Sequence, residues 1–148
     1  MQLGFVGKSL SPADKQEEKG TIDVIVSAHD PQDVDTKRHP FAECADGAVG
    51  LETFLAAGLR MVHSEQLTIS QLIKAMSSTP ANLLGLDAGS LKVESAADII
   101  LFDADYPWLV DRDDLSSRSK NTAFHQARFS GKVLQTYVAG QQVHHYSQ

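Results

Sequence analysis

Apolar and polar positions follow three different rhythms along this chain. Ile22-Asp23-Val24-Ile25-Val26-Ser27 is an apolar run with three consecutive β-branched residues. That composition predicts a strand over 22–27, buried on both faces as in a parallel sheet. A polar segment follows, Ala28 to Ala48, long enough without apolar periodicity to be read as a functional loop. In Val49 to His63, Leu51, Phe54, Leu55, Leu59 and Val62 recur at helical spacing. Gly58 lies inside that helix at a cost of about 1 kcal/mol against alanine, so a neighbour packed closely on it is expected. Thr68-Ile69-Ser70-Gln71 fits a capping box with Thr68 as N-cap, and Ile69, Leu72, Ile73 and Met76 form the buried stripe of the helix it opens. That helix is expected to end near Ser78, because Thr79 precedes Pro80. Thr79 and Pro80 then read as N-cap and first residue of a short helix, Ala81 to Leu84, closed by Gly85.

From Gly89 the rhythm becomes that of strands. Asp98 to Asp103 reads as one strand and Trp108-Leu109-Val110 as a separate short piece. Asp111 to Phe124 is polar and reads as loop. Lys132 to Val138 and Gln142 to His145 read as two strands around the turn Ala139-Gly140-Gln141. Before all of these, Met1 to Phe5 is weakly apolar, and Lys8 to Lys19 reads as a solvated lead-in in which Asp14 to Lys19 makes one or two helical turns. The organisation expected is a lead-in over 1–19, a strand, loop and helices over 20–87, and a β-rich part over 88–148. Helices between Val49 and Leu84 pack on a mixed or antiparallel β-layer, an α+β arrangement.

Composition narrows the classes of function. The chain of 148 residues is 42% hydrophobic and 22% charged, the values of one globular domain. Its net charge of −6 argues against nucleic acid and anionic membranes as partners. No apolar run reaches the length of a membrane span. Met1 to Gly7 has neither the positive flank nor the apolar length of a signal peptide, and the lone Cys44 excludes an internal disulfide framework, so a cytoplasmic setting is expected. Cys44 itself reads as a small apolar residue. Asp30, Asp33 and Asp35 do not have the spacing of a calcium loop and read as a solvated acidic stretch.

The stretch that carries chemistry is Ser27-Ala28-His29-Asp30-Pro31-Gln32, at the end of the predicted strand. It resembles the last metal-site motif of the dihydroorotases of the amidohydrolase superfamily, Asp-His-x-Pro-His. The family's aspartate falls on Ala28, its first histidine on His29, its proline on Pro31 and its second histidine on Gln32. The resemblance continues in order. Asp46-Gly47-Ala48-Val49-Gly50-Leu51-Glu52-Thr53 is similar to the glycine-bearing loop after the metal strand. Thr79-Pro80-Ala81 with Leu84-Gly85-Leu86 is similar to the family's Asn/Arg-Pro-Ala…Leu-Gly-Leu segment. Gly89-Ser90-Leu91 and Ala97 to Asp103 resemble its return strand, and Ser117 to Thr122 with Phe124, Gly131, Val133, Thr136, Val138 and Gly140 its C-terminal signature. Matches run from about Gly20 to Val143. Glu94, Ala123 and Gln126 stand where the family has glycine, proline and glycine.

The resemblance implies the last strand and helices of a (β/α)8 barrel plus the C-terminal part of a small β-subdomain. A complete barrel takes roughly 250 residues. It implies zinc-dependent hydrolysis of the cyclic amide of dihydroorotate, with the strand-end aspartate as ligand and general base, and Ala45, Gly47 and Ala48 lining the substrate through their backbone. Alanine at 28 has no ligand oxygen and no titratable proton, so no catalytic residue and no zinc are expected in this chain. Asp30 is the substitute to consider. It shares a strand face with Ala28 but lies about 6–7 Å further along. His29 is the candidate ligand, and His39, His63, His125, His144 and His145 form no metal-binding pattern with it. Three accounts stay open: a C-terminal dihydroorotase piece inactive alone, a non-catalytic structural partner of aspartate carbamoyltransferase, and an enzyme completed by a complementary fragment. A strand cut from a barrel exposes its edges. Either residues 1–19 fold back over it or chains self-associate, and a dimer or higher oligomer is expected.

Overall fold

The computed structural model describes residues 4–7, as backbone, and 22–147. The helical turns expected at Asp14 to Lys19 lie outside the described residues. Strand β1 (Gly4–Gly7) folds back on β2 (Ile22–Val26) and pairs with it antiparallel, Phe5 opposite Ile25 and Gly7 opposite Ile22. This corrects the parallel pairing expected for β2. Residues 8–21 join two ends that lie side by side, which is the connection an antiparallel pair takes. A parallel pair would need a crossover to the far end. Burial at the centre of β2 is as expected, for Val24 and Ile25 are both covered, while Val26 at its end is exposed.

Helix α1 (Phe54–His63) starts later than the periodicity suggests. Residues 51–53 form a turn, and Leu51, expected in the buried stripe, is 62% exposed. The N–H groups of Val49, Gly50 and Leu51 are taken by side chain and backbone acceptors from elsewhere, so the chain there is held outside the helix. Thr53, fully buried, turns its hydroxyl to the Gly50 carbonyl, 3.3 Å away. Helix α2 (Ile69–Ile73) opens on the expected capping box: Thr68 Oγ1 accepts from Gln71 N at 3.2 Å and Gln71 Oε1 accepts from Thr68 N at 2.8 Å. Its buried line is Leu72 and Ala75, with Met76 partly covered. Ile69 and Ile73, one turn apart on the adjacent line, are exposed rather than buried.

The helix does not stop at Ser78. A wide turn over Lys74–Ser78, in which Thr79 N reaches Lys74 O, runs directly into α3 (Thr79–Leu83). Thr79 is itself helical and caps nothing. Proline lacks an N–H and crowds the carbonyl four residues earlier. One extra residue in the turn before Pro80 removes that conflict without breaking the rod.

Strands β3 (Ile99–Leu109), β4 (Arg128–Val138) and β5 (Gln141–His145) form an antiparallel sheet in that order. β3 is one strand where two were expected, with its register shifting between Asp103 and Pro107. It lies at the sheet edge, the position where Pro107 is tolerated. The Ala139-Gly140 turn has φ of 49° and 77°, the left-handed pair that a two-residue hairpin demands. The antiparallel layer, the hairpin and the α+β class are as the sequence implies.

Helix α1 joins the layers. Leu59 packs with Ile25, Leu72 and Ala75, and Phe102 and Ala104 of β3 close that cluster. Ala56 and Ala57, on the side facing β4, pack with Val110 and Phe129, flanked by Trp108 and Phe124. Gly58 touches α2 as anticipated: a Cβ there would stand 2.9 Å from Leu72 Cδ1. Gly131 in β4 has a φ of +105°, and a Cβ on it would overlap Leu59 Cδ1. The Trp108 indole N–H fixes the same turn of backbone, donating to Gly131 O at 2.8 Å.

Candidate functional site

The C-terminal end of β2 meets two loops, 31–53 and 111–124. Ala28, just past the end of β2, sits at a φ of +46°. That left-handed bend costs an ordinary residue about 1–2 kcal/mol, and it swings the chain out of β2. His29 then pairs with Ala48 in a short parallel bridge, and Asp30 N donates to Ala48 O at 3.0 Å.

His29, the candidate ligand, is a buckle. Its Nδ1 accepts from Gly50 N at 3.1 Å and from Leu51 N at 3.2 Å. With Nδ1 accepting, the neutral ring carries its proton on Nε2. Asp30 packs its carboxylate on Gly47: a Cβ at that glycine would lie 2.7 Å from Asp30 Oδ2 and 2.5 Å from Asp30 O. Gly47, at a φ of +100°, is the residue that lets its loop touch Asp30, just past the end of β2.

Ala45, Gly47 and Ala48, half-buried, line this junction. Lys37 Nζ donates to Ala45 O and, at 3.2 Å, to Gly47 O. Asn121 Nδ2 donates to Gly47 O at 3.2 Å, and Asn121 O accepts from Val49 N at 2.7 Å. Ser119 Oγ donates to Gln32 O at 2.6 Å, and Glu52 Oε1 accepts from Ser116 N at 2.8 Å. The loop's carbonyls are thus tied down from behind, while the Asp46 N–H meets no acceptor among the described residues. What such a wall offers a ligand is backbone donors. In the acidic stretch, Asp33 Oδ1 accepts from Asp35 N at 2.8 Å and Asp35 pairs with Arg38, contacts internal to the loop.

Of the residues the sequence singles out, the structure brings His29 against Ala48 and Asp30 against Gly47 and Ala48, with Ala28 beside them and Ala45 on the same loop. Lys37, Glu52, Ser116, Ser119 and Asn121 were not singled out. The signals were the family-like runs Asp46 to Thr53, which holds Glu52, and Ser117 to Thr122, which holds Ser119 and Asn121; they name segments and not bonds, and nothing marked Lys37 or Ser116. His39, His63, His125, His144 and His145 do not join the site. His63 pairs with Asp105 at 3.2 Å, and His125 Nδ1 accepts from Arg112 N.

The residues present do not fit the zinc that the family resemblance implies. Ala28 supplies no donor, His29 Nδ1 is committed to two amides, and no three His, Cys, Asp or Glu side chains converge among the described residues. A cavity of about 910 Å³ lies at the other end of β2, lined by Ile22, Asp23, Met61, Leu67, Gln71 and Lys74. Ile25 also lines it, and none of Ala28, His29, Asp30 or the 45–51 loop does.

The amidohydrolase family model matches residues 3–143, and the chain belongs to that family. The match begins inside the stretch that the motifs had left as lead-in. Within the family the chain is similar to dihydroorotases: 42% identical over 125 residues to that of Pelobacter propionicus, covering 84% of this chain and 30% of the relative. With the dihydroorotase of Ehrlichia chaffeensis it shares 37% over 121 residues, 82% of this chain and 27% of the relative. The chain therefore spans about three tenths of the length of these relatives. Among solved structures it superposes on an L-hydantoinase (dihydropyrimidinase) from Arthrobacter aurescens with a TM-score of 0.76 at 28% identity, covering 87% of this chain and 30% of that one. A D-hydantoinase from Thermus sp. gives 0.76 at 23%, covering 83% and 28%. The described fold is thus a piece of that larger one. No helix among the described residues is long and apolar enough to cross a membrane.

Proposed function

We propose that this chain is the C-terminal portion of a dihydroorotase-type barrel and β-subdomain in pyrimidine synthesis, and that it does not hydrolyse dihydroorotate by itself. The observation that carries the proposal is Ala28. At the strand end where the family's general base and ligand belongs there is a methyl group, and the nearest carboxylate, Asp30, is laid against Gly47. Binding without an activated nucleophile and a proton acceptor does not open an amide ring. What the chain contributes is the ligand-facing loop at Ala45 to Ala48 and its supports. Zinc, where a complete assembly holds it, draws its donors from other segments.

The same missing group favours a second account, a non-catalytic partner of aspartate carbamoyltransferase in the cytoplasm. Both accounts call for association. Leu83, Leu84, Leu86, Leu91 and Val93 are all exposed, Leu91 to 85% and Val93 to 93%, apolar side chains that an association would cover. The test is ring opening of dihydroorotate, zinc content and light scattering, measured on the chain alone, with the N-terminal portion of a dihydroorotase, and with aspartate carbamoyltransferase. The chain alone is expected to be oligomeric, without turnover and without stoichiometric zinc. Turnover with the N-terminal portion supports the first account, and stable co-elution with the transferase supports the second. Stoichiometric zinc with turnover in the isolated chain overturns both.

A further inference from the structure

The loop Ala45–Leu51 is held by groups outside it, and one residue reaches both of its limbs, Asn121, with its side chain on Gly47 and its backbone carbonyl on Val49. We propose that Asn121 is a positioning residue: it fixes the peptide planes on either side of Ala48 and so sets where the N–H groups of Ala48 and Val49 point. The role of that loop as a ligand wall rests on the function proposed above; the positioning does not.

The argument starts from the peptide bond. Its carbonyl and N–H lie in one plane and point in opposite directions. A donor that holds a carbonyl therefore directs the N–H of the next residue. Gly47, at a φ of +100°, is the place in this loop where the planes can turn most freely. Asn121 Nδ2 and Lys37 Nζ both hold Gly47 O at 3.2 Å, which fixes the plane carrying the Ala48 N–H. Lys37 also holds Ala45 O, which fixes the plane carrying the unpaired Asp46 N–H. Asn121 adds a contact that Lys37 lacks. Its own carbonyl takes Val49 N at 2.7 Å, and its own N–H is held by Ser119 Oγ at 3.4 Å. The residue thus clasps Gly47 and Val49 across Ala48, from a segment 74 residues away in sequence. Its carboxamide is a short, planar donor with few rotamers, whereas Lys37 reaches by a flexible chain. Beyond Val49 the clasp passes to His29, which holds Gly50 and Leu51. Moving Asn121 therefore releases the stretch between two fixed points, Lys37 on one side and His29 on the other.

The test uses the full chain and the variants Asn121→Ala, Asn121→Asp and Lys37→Met. Hydrogen exchange is followed by peptide, and dihydroorotate is the binding probe. Asn121→Ala is expected to speed exchange over 45–51 by about tenfold, the loss of one well-made hydrogen bond, with α1 and β3–β4 unchanged. Asn121→Asp keeps the shape but turns an acceptor toward Gly47 O, and is expected to loosen the loop at least as much. Lys37→Met is expected to loosen 45–47 and leave 49–51 protected. Dihydroorotate affinity is expected to fall by about tenfold in both Asn121 variants. Unchanged exchange in 45–51, or faster exchange everywhere at once, overturns the proposal. If dihydroorotate does not bind the wild-type chain, the ligand assignment fails, and the exchange pattern decides positioning on its own.

Discussion

Two glycines in this molecule allow two elements to touch, and they do so in opposite materials. At Gly131, β4 meets α1 in a dry joint: Leu59 fills the space where a side chain would be, and the surroundings are Ile25, Leu72, Ala75, Phe102 and Ala104. At Gly47, the 45–51 loop meets the end of β2 in a polar joint: Asp30 fills the corresponding space, and the surroundings are Lys37, Asn121 and His29. The dry joint is non-directional and rewards area. The polar joint is directional. Each of its bonds contributes about 1 kcal/mol net, yet leaving a buried partner unpaired costs more than the bond provides. The first holds the layers together, and the second decides where a backbone points.

The sharpest way to break the comparison is Gly131→Ala. The strand would have to keep a φ of +105° with a side chain, and the new Cβ would meet a fully buried leucine. We expect a global loss of about 3 kcal/mol and a Tm lower by about 10 °C, read by calorimetry. An unchanged Tm would mean the two layers do not share one core. Gly47→Ala comes next. It meets Asp30 O at 2.5 Å and carries the same kind of backbone strain, but on a loop that can give way. We expect about 1–2 kcal/mol, a smaller fall in Tm, and fast exchange confined to 45–51. Equal losses at the two glycines would erase the distinction between them.

The smallest effect lies at the rim of the sheet. The Tyr146 phenol is raised above its ordinary value of 10.0, first by its hydrogen bond to Tyr106 and then by the charge of Tyr106. The two hydroxyls stand 3.5 Å apart. A raised phenol means that folding favours the neutral form. Its contribution is complete below pH 10 and is lost as pH rises through the folded value. Ultraviolet titration is expected to show one of the three tyrosines ionising late, and Tyr106→Phe to return it to the ordinary range.

What could be read from the sequence was local. The Thr68–Gln71 capping box, the Ala139-Gly140 hairpin and the close neighbour of Gly58 each follow from residues within one turn of one another or from a conformational need of one residue. The stretch Ala28 to Gln32 was legible as the end of a strand because a strand end is a local event too. What escaped was anything decided by a distant partner. Nothing in the residues around His29 announces that its Nδ1 will hold two amides twenty residues on. Nothing around Asn121 announces Gly47. That residues from 1–19 would fold back over β2 was one of the two expected outcomes, but that Gly4–Gly7 would do it as a strand was not legible, because four weakly apolar residues become a strand only when β2 offers an edge. The join of α2 to α3 escaped because proline's rule for an ordinary helix does not hold once the turn before it is widened.

The tie between Ser119 and Gln32 spans 87 positions of the chain. Bringing such remote segments together carries an entropy cost that a single hydroxyl cannot overcome. The bond can therefore form only after α1 has docked on the sheet and delivered both ends to the same place. During refolding the hairpins and helices, whose contacts are local, are expected to come first, and the loops that Ser119 and Gln32 tie together to take their shape last. By the same reasoning they are the first part to let go when the layers begin to separate.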